Sequence, residues 1–130
     1  MTLARVGRVI REVSEADTAQ ALGSGDVPVL ATPRLIQWLE AATVEAAGPF
    51  LEAGQTSVGT AIRIDHLRAT PVGGRVELTA TAPKSPTGRR LTFPVSAVDA
   101  DGEQVATGEI ERAIVDRARF LAGLGGASAG

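Results

Sequence analysis

Three side chains in this sequence, Thr32, Glu40 and His66, combine reactive chemistry with suggestive spacing. A carboxylate can attack a carbonyl or take a proton from water. An imidazole, with a pKa of about 6.5, exchanges protons at neutral pH. A hydroxyl beside the positive end of a helix can hydrogen-bond a developing oxyanion or a thioester carbonyl. Each residue also has an ordinary reading. Glu40 can pair with an arginine, His66 can be a hydrogen-bonded core or interface residue, and Thr32 is a sufficient helix N-cap. Eight positions separate Thr32 from Glu40, about 12 Å of helical rise. That is too far for a direct pair, but both can border one slot if a substrate lies along the helix and His66 comes over from a strand.

The helix that must carry Thr32 and Glu40 is legible. Thr32 is expected to cap it and Pro33 to occupy its first position, where the missing N–H is harmless. Leu35, Trp38, Leu39, Ala42, Thr43 and Ala46 form an apolar stripe at helical spacing, opposite a wet face of Arg34, Gln37, Ala41 and Glu45. Glu40 lies at the edge of the stripe, on a ridge with Ile36 and Val44. Gly48-Pro49 ends the helix near Ala47.

Around that helix the chain reads as strand. Residues 4–13 suggest an edge strand, and 14–22 a short helix or helical turn. Four further strands are expected over 56–69, 75–82, 89–98 and 103–115. In the first, alternation assigns Val58, Thr60, Ile62, Ile64 and His66 to one face and Gly59, Ala61, Arg63 and Asp65 to the other. Residues 83–88 are a connection, and 99–102 a hairpin turn. Pro94 inside a strand calls for a bulge or a local edge. The glycine-rich stretch 122–130 reads as a flexible tail beyond a single domain spanning 1–121. One helix followed by long antiparallel strands makes an α+β fold, a curved antiparallel sheet wrapped around a central helix. This is the hotdog arrangement, and its exposed edges favour pairing with a second copy.

Composition removes several classes of function. The 130 residues suit one domain, and 44% hydrophobic content suits one core, which three Phe, one Trp and no Tyr leave mostly aliphatic. The absence of cysteine excludes disulfides and thiolate metal sites, and a single histidine argues against a histidine-based metal centre. A net charge of -2 and few aromatics give no basis for nucleic-acid binding. No leader pattern opens the sequence, and no apolar run approaches the roughly 20 residues that span a bilayer. The expectation is a cytoplasmic protein. Gly23-Ser24-Gly25 and Gly73-Gly74 fit neither the dinucleotide nor the P-loop pattern. Arg89 and Arg90 are either a solvated strand start or a bidentate grip on a phosphate-bearing ligand.

The strings Thr32 to Glu40, Ser57 to Ile62 with His66, Ala69-Thr70-Pro71, Gly88-Arg89-Arg90-Leu91 and Glu111-Arg112-Ala113 closely resemble the fluoroacetyl-CoA-specific thioesterase family. The resemblance runs from about Val29 to Phe120. It implies a homodimer with the active site at the subunit interface, hydrolysing an acyl-CoA thioester to free acid and CoA. No metal and no cofactor are implied beyond coenzyme A as part of the substrate. Glu40 would be nucleophile or water-activating base, His66 its acid–base partner, and Thr32 a hydrogen-bonding hydroxyl. Gly59 or Thr60 would contact the substrate near its carbonyl. Which of Arg89, Arg90 and Arg112 would meet the CoA phosphates stays open. The family's specialised member carries a phenylalanine-bearing lid before the threonine, where this sequence has Gly23 to Pro28 and no phenylalanine. That departure implies a more open pocket that accepts other acyl groups. Two other readings share the scaffold: an enoyl-CoA hydratase-type lyase, which releases no thiol, and a non-catalytic acyl-CoA or small-molecule binding module.

Overall fold

The computed structural model describes residues 6–83 and 88–128. The ends of the expected first strand (Ala4) and tail (Ala129, Gly130), and residues 84–87 of the expected connection, lie outside the described residues. Strand β1 (Val6–Glu12) is followed by a 3-10 turn (Glu15–Asp17), a one-turn helix α1 (Ala19–Leu22) and the long helix α2 (Thr32–Ala47). Then come β2 (Gln55–His66), β3 (Arg75–Thr81), β4 (Arg90–Asp99), β5 (Gln104–Asp116) and helix α3 (Arg117–Ser128). The strands form one antiparallel sheet in the order β1-β3-β4-β5-β2. The 7-residue β1 and the 12-residue β2 are its edges.

The core lies between α2 and the inner face of the sheet. Leu35, Leu39, Ala42 and Ala46 of α2 are fully buried, against Val76, Leu78 and Ala80 of β3, Leu91, Phe93 and Ala97 of β4, and Ile110 of β5. Alanines on the helix stripe let it approach the sheet closely. The tightest approach is at Gly7 of β1, where a Cβ would sit 2.1 Å from the Ala42 carbonyl oxygen and 2.8 Å from the Ala46 nitrogen. Pro94 lies in an interior strand, just past the Ala80–Val95 pair where the β3 ladder ends, so its missing N–H falls at a local edge.

Three expectations are corrected. Thr32 does not cap α2. Ala31, in extended conformation (φ -70, ψ 139), holds the cap position, and its carbonyl accepts the Leu35 N–H at 3.0 Å. Thr32 and Pro33 are therefore the first and second helical residues, a place where proline still loses nothing. The stretch from 122, expected to be a flexible tail, is helix through Ser128. The third correction concerns β2. Gly59 pairs with Arg112 and Ala61 with Glu111, so Thr60 is the extra residue of a β-bulge. The bulge exchanges the faces on its N-terminal side. Gly59, not Val58, shares the inner face with Ile62, Ile64 and His66.

Replacing Gly7 by alanine is expected to push α2 off β1 and cost about 1 to 3 kcal/mol, the usual range for overpacking. The shift in urea midpoint relative to the parent protein measures it.

Candidate active site

The approach to α2 is tied to the segment beyond β2 and to the 3-10 turn by backbone hydrogen bonds. The Leu30 N–H donates to the Thr70 carbonyl at 2.8 Å, and the Ala31 N–H to the Asp17 carbonyl at 2.9 Å. The Leu67 N–H donates to Val105 at 2.8 Å, fixing the chain just beyond His66. With both ends held, the Thr32 hydroxyl meets His66 Nδ1 at 2.8 Å. Because α2 is entered through Ala31, the Thr32 side chain is released from capping and is free to make this bond. Burial draws the His66 pKa below the ordinary histidine value, with an interaction with the Arg68 backbone opposing it. Its Nε2 is buried without a well-formed hydrogen bond to a described residue.

Thr32 and His66 open onto a cleft of about 350 Å³, shared with Ser24, Gly25, Asp26 and Val27. The loop over 23–28 therefore forms a wall of this cleft. Glu40 is not among the residues lining it. Two turns further along α2, Glu40 is half-buried, and its Oε2 lies 3.5 Å from Nη1 of Arg112. Arg112 is 7% exposed, donating from Nε to Ser57 Oγ at 2.9 Å and from Nη2 to the Ser57 carbonyl at 3.1 Å. Burial pulls the guanidinium pKa down and the Glu40 charge opposes it. Such a cation is tolerated inside because its donors are satisfied.

Gly59 completes this half. A Cβ built there would lie 2.7 Å from Glu40 Oε2 and 3.7 Å from Arg112 Nη1. Only glycine leaves the carboxylate room at this point. Thr60 turns the other way, its hydroxyl donating to the Glu111 carboxylate at 2.6 Å. The same carboxylate oxygen accepts from Arg90 Nη1 at 2.8 Å. Leu91 is fully buried, so Arg90 falls on the outer face of the sheet, away from Glu40. Arg89 is exposed at the turn before β4. Among the sequence candidates, the structure thus joins Thr32 to His66 and Glu40 to Gly59. It sets Thr60 and Arg90 on the opposite face. Arg112, quoted above only within a matching string and as a possible phosphate contact, is ion-paired to Glu40. Its signal was the placement of an arginine among the inward positions Ile110 and Ile114 of β5. Among the described residues no three His, Asp or Glu side chains group as metal ligands would. No described helix is long and apolar enough to cross a membrane.

The depressed His66 pKa has a stability consequence with a definite sign. Below pH about 6.5 the unfolded chain takes up a proton that the folded chain still refuses. Stability is expected to fall as pH drops from about 6.5 to the folded value, and this slope is expected to vanish in His66→Gln. Urea unfolding across that window measures both, and NMR titration of the lone imidazole locates the folded pKa.

Comparison with known proteins places the chain in a family. A family model described as "FlK: Fluoroacetyl-CoA-specific thioesterase" matches residues 13–118. The fluoroacetyl-CoA thioesterase of Streptantibioticus cattleyicolor is 43% identical over 94 residues. The match takes in 72% of this chain and 66% of that enzyme, so it spans just under two thirds of the relative's length. A crystal structure of the fluoroacetyl-CoA thioesterase FlK superposes with a TM-score of 0.83 at 34% identity, covering 95% of each chain. A Thermus thermophilus hypothetical protein, described as a thioesterase superfamily member, superposes with a TM-score of 0.88 at 26% identity, covering 97% of this chain and 92% of its own. With the family model spanning most of the sequence and the same sheet-and-helix architecture in both solved structures, the chain belongs to the fluoroacetyl-CoA-specific thioesterase family and has its hotdog fold.

Proposed function

We propose that this protein hydrolyses an acyl-CoA thioester to the free acid and coenzyme A, with Glu40 as nucleophile or general base and His66 and Thr32 as its helpers. The observation that carries the reading is the carboxylate of Glu40, held by the buried Arg112, fitted against Gly59 and still 35% exposed. A carboxylate fixed by an arginine yet partly exposed is placed to act on a ligand rather than to fill a core.

Attack on the thioester carbonyl by Glu40, or by a water that Glu40 deprotonates, forms the new C–O bond and breaks the C–S bond. The departing sulfur needs a proton. A Thr32 hydroxyl that accepts the Nδ1 proton leaves the Nε2 lone pair to take up a second proton, at an atom with no firm partner of its own. The imidazole takes up the proton released from the attacking water, and the imidazolium passes it to the departing thiolate, which restores the neutral ring. The N-terminal end of α2 beside Thr32 favours negative charge building on the carbonyl oxygen. No resident cofactor enters these steps, and coenzyme A takes part only as the leaving group.

The two halves of the machinery lie apart along α2, which is why the reading includes a homodimer. Val44 of α2 is 53% exposed and Ile62 on the inner face of β2 is 44% exposed, leaving an apolar strip between the helix and the long β2 edge. Antiparallel pairing of two β2 edges would cover that strip and bring each chain's His66 end alongside its partner's β2. The loop over 23–28, with Val27 as its one large apolar side chain, gives a wall that does not select a particular acyl group by an aromatic contact.

Thiol release from short, branched, aromatic and fluorinated acyl-CoA esters tests the activity. Glu40→Gln keeps an oxygen for Arg112 and is expected to fold normally while losing at least ~100-fold in kcat/KM, the lower end of what a positioned acid–base group contributes. Full turnover in the folded variant removes Glu40 from the mechanism. Gly59→Ala is expected to lose activity with little change in the thermal midpoint, because its Cβ displaces the flexible end of Glu40 and not the backbone. An unchanged rate in that variant shows that the seat of the carboxylate against Gly59 is not used.

A further inference from the structure

Helix α3 is rooted at one end of β2 and leaves an apolar surface bare. Asp116 pairs with Gln55, the Arg117 N–H donates to the Gly54 carbonyl at 2.9 Å, and the Asp116 carboxylate accepts the Arg119 N–H at 2.8 Å. Past this root Phe120 is 41%, Leu121 53% and Leu124 56% exposed. Their spacing puts them on one side of the helix. Three large apolar side chains together on a terminal helix make a surface that water disfavours.

A second bare apolar surface lies at the other end of β2. Val27 and Leu67 line the Thr32–His66 cleft, yet are 50% and 56% exposed. Within one chain the two surfaces are hard to bring together. The 12 residues of β2 extend about 37 Å, whereas the 12 residues of α3 span only about 18 Å. Across an antiparallel pair of β2 edges the geometry is reversed. The Gln55 end of one strand then lies beside the His66 end of the other. Because α3 issues from β5, one strand further in, its root is about two strand spacings, roughly 10 Å, from the partner's cleft. Charge agrees with this placement: Arg117 and Arg119 are exposed on α3, and Asp26 is exposed on the cleft wall.

We infer that α3 of each copy docks through Phe120, Leu121 and Leu124 on Val27 and Leu67 at the mouth of the second copy's Thr32–His66 cleft. Each site then has one wall supplied in trans, and the acyl-CoA must enter between that helix and the loop over 23–28. The inference rests on the β2-edge dimer of the proposed function and adds an occupant for the cleft mouth.

The absence of native cysteine makes the test clean. Differently tagged copies are co-expressed, one with a single cysteine at Phe120, Leu121 or Leu124, the other with a single cysteine at Val27 or Leu67. The mass of each mixture is taken by light scattering before mild oxidation. A reducible disulfide between the two tags, in a protein of dimer mass, is the expected result, since the bond forms only across Cα separations of about 4.4–6.8 Å. A copy with Arg11→Cys, on the opposite sheet edge, is expected to give none with any α3 cysteine. A dimer that forms no cross-link in any α3–cleft pairing overturns this inference and leaves the dimer standing. A monomeric mass overturns both.

Discussion

At Thr60, β2 carries one residue more than the strand it pairs with, and the geometry of the Glu40 half of the site depends on how that residue is absorbed. Its hydroxyl is held on the outer face by Glu111, and the strand resumes with its faces exchanged. Without the bulge, strict alternation would present Val58 to α2 and turn Gly59 away. With it, the residue opposite Arg112 is a glycine, and Glu40 Oε2 occupies the space where a side chain would begin. A single irregularity on an edge strand thus decides whether the carboxylate meets a glycine or a valine.

Two electrostatic settings follow from the placement of these elements. Glu40 has its charge partner in Arg112, a guanidinium that burial would disfavour were it not for Ser57 and the carboxylate itself. His66 is the opposite case. Its side-chain partner is the Thr32 hydroxyl, and burial favours its neutral form. One half of the site holds a charge and the other a neutral imidazole that can take up a proton and pass it on, an arrangement suited to cleaving a bond whose leaving group must be protonated as it departs.

Much of this architecture was legible because it is periodic. The stripe from Leu35 to Ala46 and the alternation of Val76, Leu78, Ala80 and of Leu91, Phe93, Val95, Ala97 place a helix against an antiparallel sheet with little ambiguity. What was not legible depended on single local choices. Thr32 before a proline looks like a cap, but an alanine one residue earlier took the role because the 29–31 segment is pinned to 17 and 70–71. The bulge at Thr60 has no glycine or proline of its own at that residue, so alternation ran through it unbroken and misassigned Gly59. The pairing of Arg112 with Glu40 joins residues 72 positions apart, beyond the reach of any local pattern. The helix over 117–128 was hidden by its glycines, which lower helix propensity without forbidding a helix that continues directly from an anchored strand.

The account stands on the location of the reacting carbonyl, and a crystal structure of the Glu40→Gln protein with a short acyl-CoA ester addresses that location directly. The account predicts the thioester carbon over Gly59, within hydrogen-bonding distance of the residue-40 side chain, with the sulfur toward a His66 imidazole. An ester bound with its carbonyl elsewhere, such as in the hollow between Arg63, Thr92 and Glu109 on the outer face of the sheet, would contradict it.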